Sequence, residues 1–107
     1  MAQIPNKIKA TIDKYLKALK DGNIPIKQAI LFGSYAKGNY NKYSDIDIAL
    51  VSKIFEGNRI KDRNKIRGIT LSISSSIEVL PYAVKNFNTG NPLVKEILKT
   101  GKLLPCR

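Results

Sequence analysis

Apolar residues at Ile4, Ile8, Ile12, Tyr15, Leu16 and Leu19 recur at spacings of three and four, which predicts an amphipathic helix over residues 4–20. Lys7, Lys9, Lys14, Lys17 and Lys20 populate its other faces, and Asp21-Gly22-Asn23 supplies the stop. The period then changes. Residues 24–32 read as a first strand, with Pro25 near its start, where a missing N–H is tolerated. Gly33-Ser34 breaks that strand, Tyr35-Ala36-Lys37 forms a short helical turn, and residues 38–44 are loop by composition. Residues 45–52 give a second strand and residues 76–82 a third, ended by Pro81. Between them Asn58 caps a helix from about Arg59 to Ser72, with a blurred end because residues 70–76 are poor helix material. Pro92 to Thr100 forms a last helix, with Gly101 as its stop. Strands separated by helices predict an α/β (α+β) architecture: a small mixed sheet of three to four strands, one layer backed by helices, in a single domain over residues 1–107.

Composition narrows the chemistry. A chain of 107 residues buries roughly 65% of its unfolded surface, enough for one core without disulfides. No apolar run approaches the ~18 residues that span a bilayer, and the N-terminus shows no secretory signal, so a cytoplasmic protein without a membrane partner is expected. Cys106 is the single cysteine and histidine is absent, which excludes an intrachain disulfide, the usual zinc ligand sets and any Ser-His or Cys-His pair. Catalysis must then rest on carboxylates, hydroxyls, lysines and bound metal. Nineteen Lys and Arg against eight Asp and Glu give a net charge of +11. That field attracts phosphates, nucleotides, nucleic acid or an acidic protein, although a solvated lysine surface has the same composition.

Three of the acids fall in strand-like segments: Asp45, Asp47 and Glu78. Residues i and i+2 of a strand share a face, so Asp45 and Asp47 point the same way, while Ile46, Ile48 and Leu50 take the other. Two carboxylates ~5 Å apart at an effective dielectric of 20 repel by roughly 3 kcal/mol. A divalent cation between them offsets this, and magnesium usually takes one or two carboxylates plus substrate phosphates. Ser34 and the backbone freed by Gly33 suit phosphate oxygens, with Lys37 one turn on. Glu78, on a strand beside the aspartates, reaches the same place. Taken singly, each feature has an ordinary use: a turn, a solvated lysine, a capped loop, an edge-strand glutamate. Their combination is what carries the reading.

Gly33-Ser34, ten residues, then Asp45-Ile46-Asp47, with a later strand carboxylate, resembles the nucleotidyltransferase superfamily that includes DNA polymerase beta and kanamycin nucleotidyltransferase. Phe32-Gly33-Ser34-Tyr35-Ala36-Lys37-Gly38 and Ser44-Asp45-Ile46-Asp47-Ile48-Ala49 are most similar to its minimal branch, MNT, which includes MntA-type antitoxins. Residues 98–104 also look like that family's ending. The resemblance implies the nucleotidyltransferase fold, ATP as substrate, and Gly33, Ser34 and Lys37 at the triphosphate. It implies two magnesium ions on Asp45, Asp47 and Glu78, with Glu78 also helping to deprotonate the acceptor. It further implies transfer of AMP to a tyrosine of a HEPN toxin partner. Two departures stand out. Glutamate replaces the usual third aspartate, and a methylene shifts a carboxylate by about an ångström, enough to cost ~100-fold in rate. Lys37 replaces the commoner arginine and loses its bidentate geometry. The alternatives are an antitoxin that silences the ribonuclease by binding alone, and an RNA-directed transferase or RNA-binding module.

Overall fold

The first helix, α1 (Asn6–Asp21), buries Ile12, Tyr15 and Leu19 from the apolar stripe. It ends at Gly22, with Asn23 in the left-handed region at φ 62°. The computed structural model describes residues 4–105. Met1–Gln3 and Cys106, on which the expectations about a leader and a disulfide rest, lie outside them.

Strands β1 (Gln28–Phe32), β2 (Ile46–Ser52), β3 (Ile77–Ala83) and β4 (Lys102–Leu104) form one sheet in the order β3-β2-β1-β4. β1 runs antiparallel to β2 and to β4, and β2 runs parallel to β3. The parallel pair needs a crossover, which α3 (Arg59–Ile73) provides. The short helix α2 (Ser34–Lys37) follows β1, and α4 (Pro92–Thr100) precedes β4. This is the mixed α+β sheet with four strands, and no described helix is long and apolar enough to cross a membrane.

The sheet is covered on both faces. Ile46, Ile48 and Leu50 join Ile12, Tyr15 and Leu19 of α1 and Ile66 of α3 in the larger core. Ala49 and Val51, on the aspartate face, join Ile30, Tyr82 and the α4 residues Val94 and Ile97. β2 is therefore buried on both sides, so its apolar run does not alternate. Each fully buried Ile or Leu stabilises the fold by about 1.5–3 kcal/mol. Tyr15 and Thr70 share a buried hydrogen bond of 2.7 Å between α1 and α3.

Three boundaries differ from expectation. Residues 24–27 precede the ladder; Ile24 donates to Leu19 O and only Lys27 reaches Val51 O. Pro81 does not end β3, which continues to Ala83. Ser76 O accepts from Ile46 N, so the alternation turns even-numbered residues of β3 toward β2 and odd-numbered ones outward. The missing N–H of Pro81 therefore faces the open side, where no ladder bond is lost. The fourth strand, allowed for in the expected three to four, had no residues assigned to it, because the three residues of β4 carry no period.

Candidate active site

β1 delivers Gly33 to the end of the sheet, at φ 76° and ψ −151°. Its carbonyl accepts from Ala36 N at 3.1 Å and Lys37 N at 3.0 Å, which winds α2 tightly back on the strand. Gly38, at φ 85°, closes the turn. The reason for glycine is more specific than a turn. A Cβ here would overlap the Asp47 carboxylate, coming within 3.2 Å of its Cγ and closer still to Oδ2. The Asp47 carboxylate therefore lies directly against the Gly33 backbone.

The register assembles the remainder. Asp47 is opposite Phe32 across the antiparallel ladder and opposite Glu78 across the parallel one. Asp45 stands just before β2, exposed, at the end of a loop held by Asn41. Tyr43 N donates to Asn41 Oδ1 at 2.8 Å, and Asn41 N donates to Ser44 Oγ at 2.9 Å. Tyr40 stacks on the buried Tyr35 with centroids 4.7 Å apart, so these two tyrosines pack the loop, whereas Tyr43 is 81% exposed.

Electrostatics single out Asp47. Its partial burial raises the carboxyl above its ordinary range, and the charges of Asp45 and then Glu78 raise it further. Asp47 thus sits in the field of both other acids. Each of two expected participants has turned to a neighbour. Glu78 meets Arg63 at 3.7 Å, and Lys37 meets Glu96 of α4 at 3.9 Å. Both pairs are exposed and worth about 0–1 kcal/mol, so neither side chain is held firmly. Arg63 also donates to Val79 O at 3.2 Å. Sequence reasoning did not find this arginine, because nothing in helical spacing tells which helix residue reaches over a strand edge.

As placed, no three carboxylates among the described residues stand close enough together to hold a metal ion. The donor set nevertheless fits magnesium. It consists of hard oxygens, and the half-buried Asp47 carries a charge that a cation would relieve. Asp45 and Asp47 would hold the ion, and Glu78 would join them on leaving Arg63.

Known proteins resemble the chain in sequence and in fold. The family described as polymerase beta, nucleotidyltransferase matches residues 6–107. An inferred protein adenylyltransferase of Methanocaldococcus jannaschii is 33% identical over 81 residues, covering 70% of this chain and 55% of its own length. The chain spans about half the length of the curated relatives it matches. Among solved structures, a chain of a toxin–antitoxin complex with AMP-PNP superposes with a TM-score of 0.64 at 27% identity, covering 89% of this chain and 73% of that one. A chain from the complex of a tri-AMPylated Shewanella oneidensis HEPN toxin with MNT antitoxin shares the fold, with a TM-score of 0.60 at 24% identity over 92% of this chain and 72% of that one. With a match over nearly its whole length, a Gly33-Ser34 turn and a paired Asp45 and Asp47, the chain belongs to the polymerase beta nucleotidyltransferase family.

Proposed function

We propose that this chain is a magnesium-dependent protein adenylyltransferase that moves AMP from ATP to a tyrosine hydroxyl of a HEPN-type toxin, and so acts as its antitoxin. The observation that carries the reading is the Asp47 carboxylate, set against Gly33 and in register with Glu78. Gly33, Ser34 and Lys37 hold the triphosphate beside the aspartates. Ser34 offers its hydroxyl, and the Ser34 and Tyr35 amides at the start of α2 lie ahead of the Ala36 and Lys37 amides that Gly33 O accepts. Bound magnesium supplies charge stabilisation for the attacking and leaving oxygens. Glu78, freed from Arg63, accepts the tyrosine proton at a carboxylate oxygen while pyrophosphate leaves. The AMP-PNP and AMPylated-toxin complexes among the structural neighbours support ATP and the HEPN partner. The setting is the cytoplasm, where ATP and magnesium are supplied.

The test is incubation with radiolabelled ATP, magnesium and a HEPN toxin. Label on the toxin that disappears in Asp45→Ala/Asp47→Ala establishes the enzyme. A second reading, neutralisation by binding alone, is favoured by the Glu78–Arg63 pair, which draws the third carboxylate aside. In that case neither protein labels the toxin, and both neutralise it.

A further inference from the structure

A second polar cleft, of about 220 Å³, opens at the C-terminal end of β3. Gly57, Arg59, Tyr82, Asn86 and Asn91 line it, and no lining residue is acidic. It lies on the face that carries Asp47 and Glu78, because Tyr82 follows Glu78 by four residues on β3, about 13 Å along a strand. None of the catalytic candidates lines it.

Tyr82 is the unusual member. It is 5% exposed, and its hydroxyl is the one described side-chain polar atom that is both fully buried and without a hydrogen-bond partner. A buried hydroxyl left unpaired costs about 1–3 kcal/mol, which a fold does not retain without use for it. The ring is held in place by an edge contact with Phe87, centroids 5.1 Å apart, within the smaller core. The Arg59 guanidinium is close enough to act on the phenol electrostatically. Burial outweighs that influence and pushes the phenol up, so it stays protonated and can donate.

The remaining walls are positive as well. Arg59 is the first residue of α3, fifteen residues long, and Asn91 caps α4, nine residues long, so two helix N-termini converge here. Asn91 Oδ1 accepts from Leu93 N and Val94 N, which leaves its NH₂ as the free donor. Gly57, at φ 95°, brings backbone against Asn86, where a Cβ would come within 2.9 Å of Asn86 Oδ1. The nearby acid of α3, Asp62, is occupied by Glu56 N, Gly57 N and Lys65. Donors thus arrive from Tyr82 on the strand, Arg59 at the start of α3 and the Asn91 cap of α4, around a space large enough for several waters at about 30 Å³ each. A tetrahedral oxyanion matches donors that arrive from several directions, and the guanidinium fork of Arg59 favours phosphoryl oxygens.

We propose that this cleft is a second anion site, binding a phosphoryl group through Arg59, the Tyr82 hydroxyl and the Asn91 amide. The phosphoryl group belongs either to free phosphate or to a nucleotide. The experiment is a two-dimensional ¹⁵N NMR titration of the whole chain with inorganic phosphate, with AMP, and with chloride at matched ionic strength and pH. The proposal expects saturable shifts at Gly57, Arg59, Tyr82 and the Asn86 and Asn91 side-chain amides with phosphate but not with chloride. Tighter binding of AMP at those resonances identifies a nucleotide source; binding by phosphate alone identifies the free ion. Arg59→Gln and Tyr82→Phe should each weaken it about tenfold, the size of one charge-assisted hydrogen bond at 1.4 kcal/mol per decade. Tyr82→Phe removes only an unpaired hydroxyl, so it tests the site in a protein that folds. Shifts confined to residues 33–38, equal drift with chloride, or unchanged affinity in both variants would overturn the proposal.

Discussion

Gly33→Ala tests whether the Asp47 carboxylate rests on a backbone that has no room for a side chain. Two costs follow from the structure. The first is local: φ 76° with ψ −151° lies in a region populated almost only by glycine, and an alanine there costs on the order of 1–3 kcal/mol. At 2 kcal/mol, the middle of that range, a chain of about this size loses roughly 8–16 °C of Tm. The second cost falls on activity. The new methyl overlaps Asp47 Oδ2, so the carboxylate must retreat by about an ångström, and misplacement on that scale costs ~100-fold in turnover. Thermal melts and labelled-ATP transfer read the two separately. A double-mutant cycle with Asp47→Ala isolates the steric share, because the overlap has no second partner once the carboxylate is gone. The combined variant should lose less stability than the sum of the two single variants. Wild-type Tm and turnover in Gly33→Ala, or strict additivity in the cycle, would falsify the proposed contact.

Four other outcomes are expected. Asp47 has a raised carboxyl in the fold, so its stabilising contribution is full below the ordinary carboxylate range and lost as pH rises through the raised value. Asp47→Asn should therefore raise Tm at neutral pH while abolishing transfer; a lowered Tm refutes the electrostatic account. Burial pushes Tyr15 from 10.0 up to about 12, so its share of stability is intact below pH 10 and lost as pH climbs through 12. In an ultraviolet tyrosinate titration, Tyr15→Phe should remove the latest-titrating step. Asp62→Ala leaves Glu56 N and Gly57 N without their acceptor, while Lys65 keeps Glu56. Leaving these part-buried amides unpaired costs about 1–3 kcal/mol, visible as a shifted urea midpoint at unchanged m. Asn91→Ala removes the acceptor for Leu93 N and Val94 N. It should cost ~1 kcal/mol by the same assay.

Long-period features were legible because many residues vote for them. The stripe from Ile8 to Leu19 placed α1, and the doubled aspartates with their apolar partners placed β2 and its charged end. That Glu78 lies on a strand beside the aspartates was expected, and the parallel register that sets it opposite Asp47 came from the structure. What could not be read depended on the third dimension. Arg63 reaches Glu78 because α3 packs beside an edge strand, a distance that spacing within the helix does not encode. The role of Gly33 against Asp47 spans fourteen residues and needs the register of two strands. α4 covers the face opposite α1 and α3, and the span from Pro92 to Thr100 with its Gly101 stop did not tell which face that would be. Pro81 misled because proline was read as a terminator, when the strand had an open side to receive it.

That open side has a consequence for how the molecule behaves in company. An unpaired strand invites another chain to continue the sheet, the first step of edge-to-edge aggregation. On β3 the invitation is withdrawn twice: Arg63 occupies the outward carbonyl of Val79, and Pro81 offers no donor. At the far edge, β4 is three residues long and is followed by Pro105. The molecule therefore resists stacking with its own copies. Association must be negotiated through side chains, where charge and shape discriminate, and not through backbone, which would accept any extended chain.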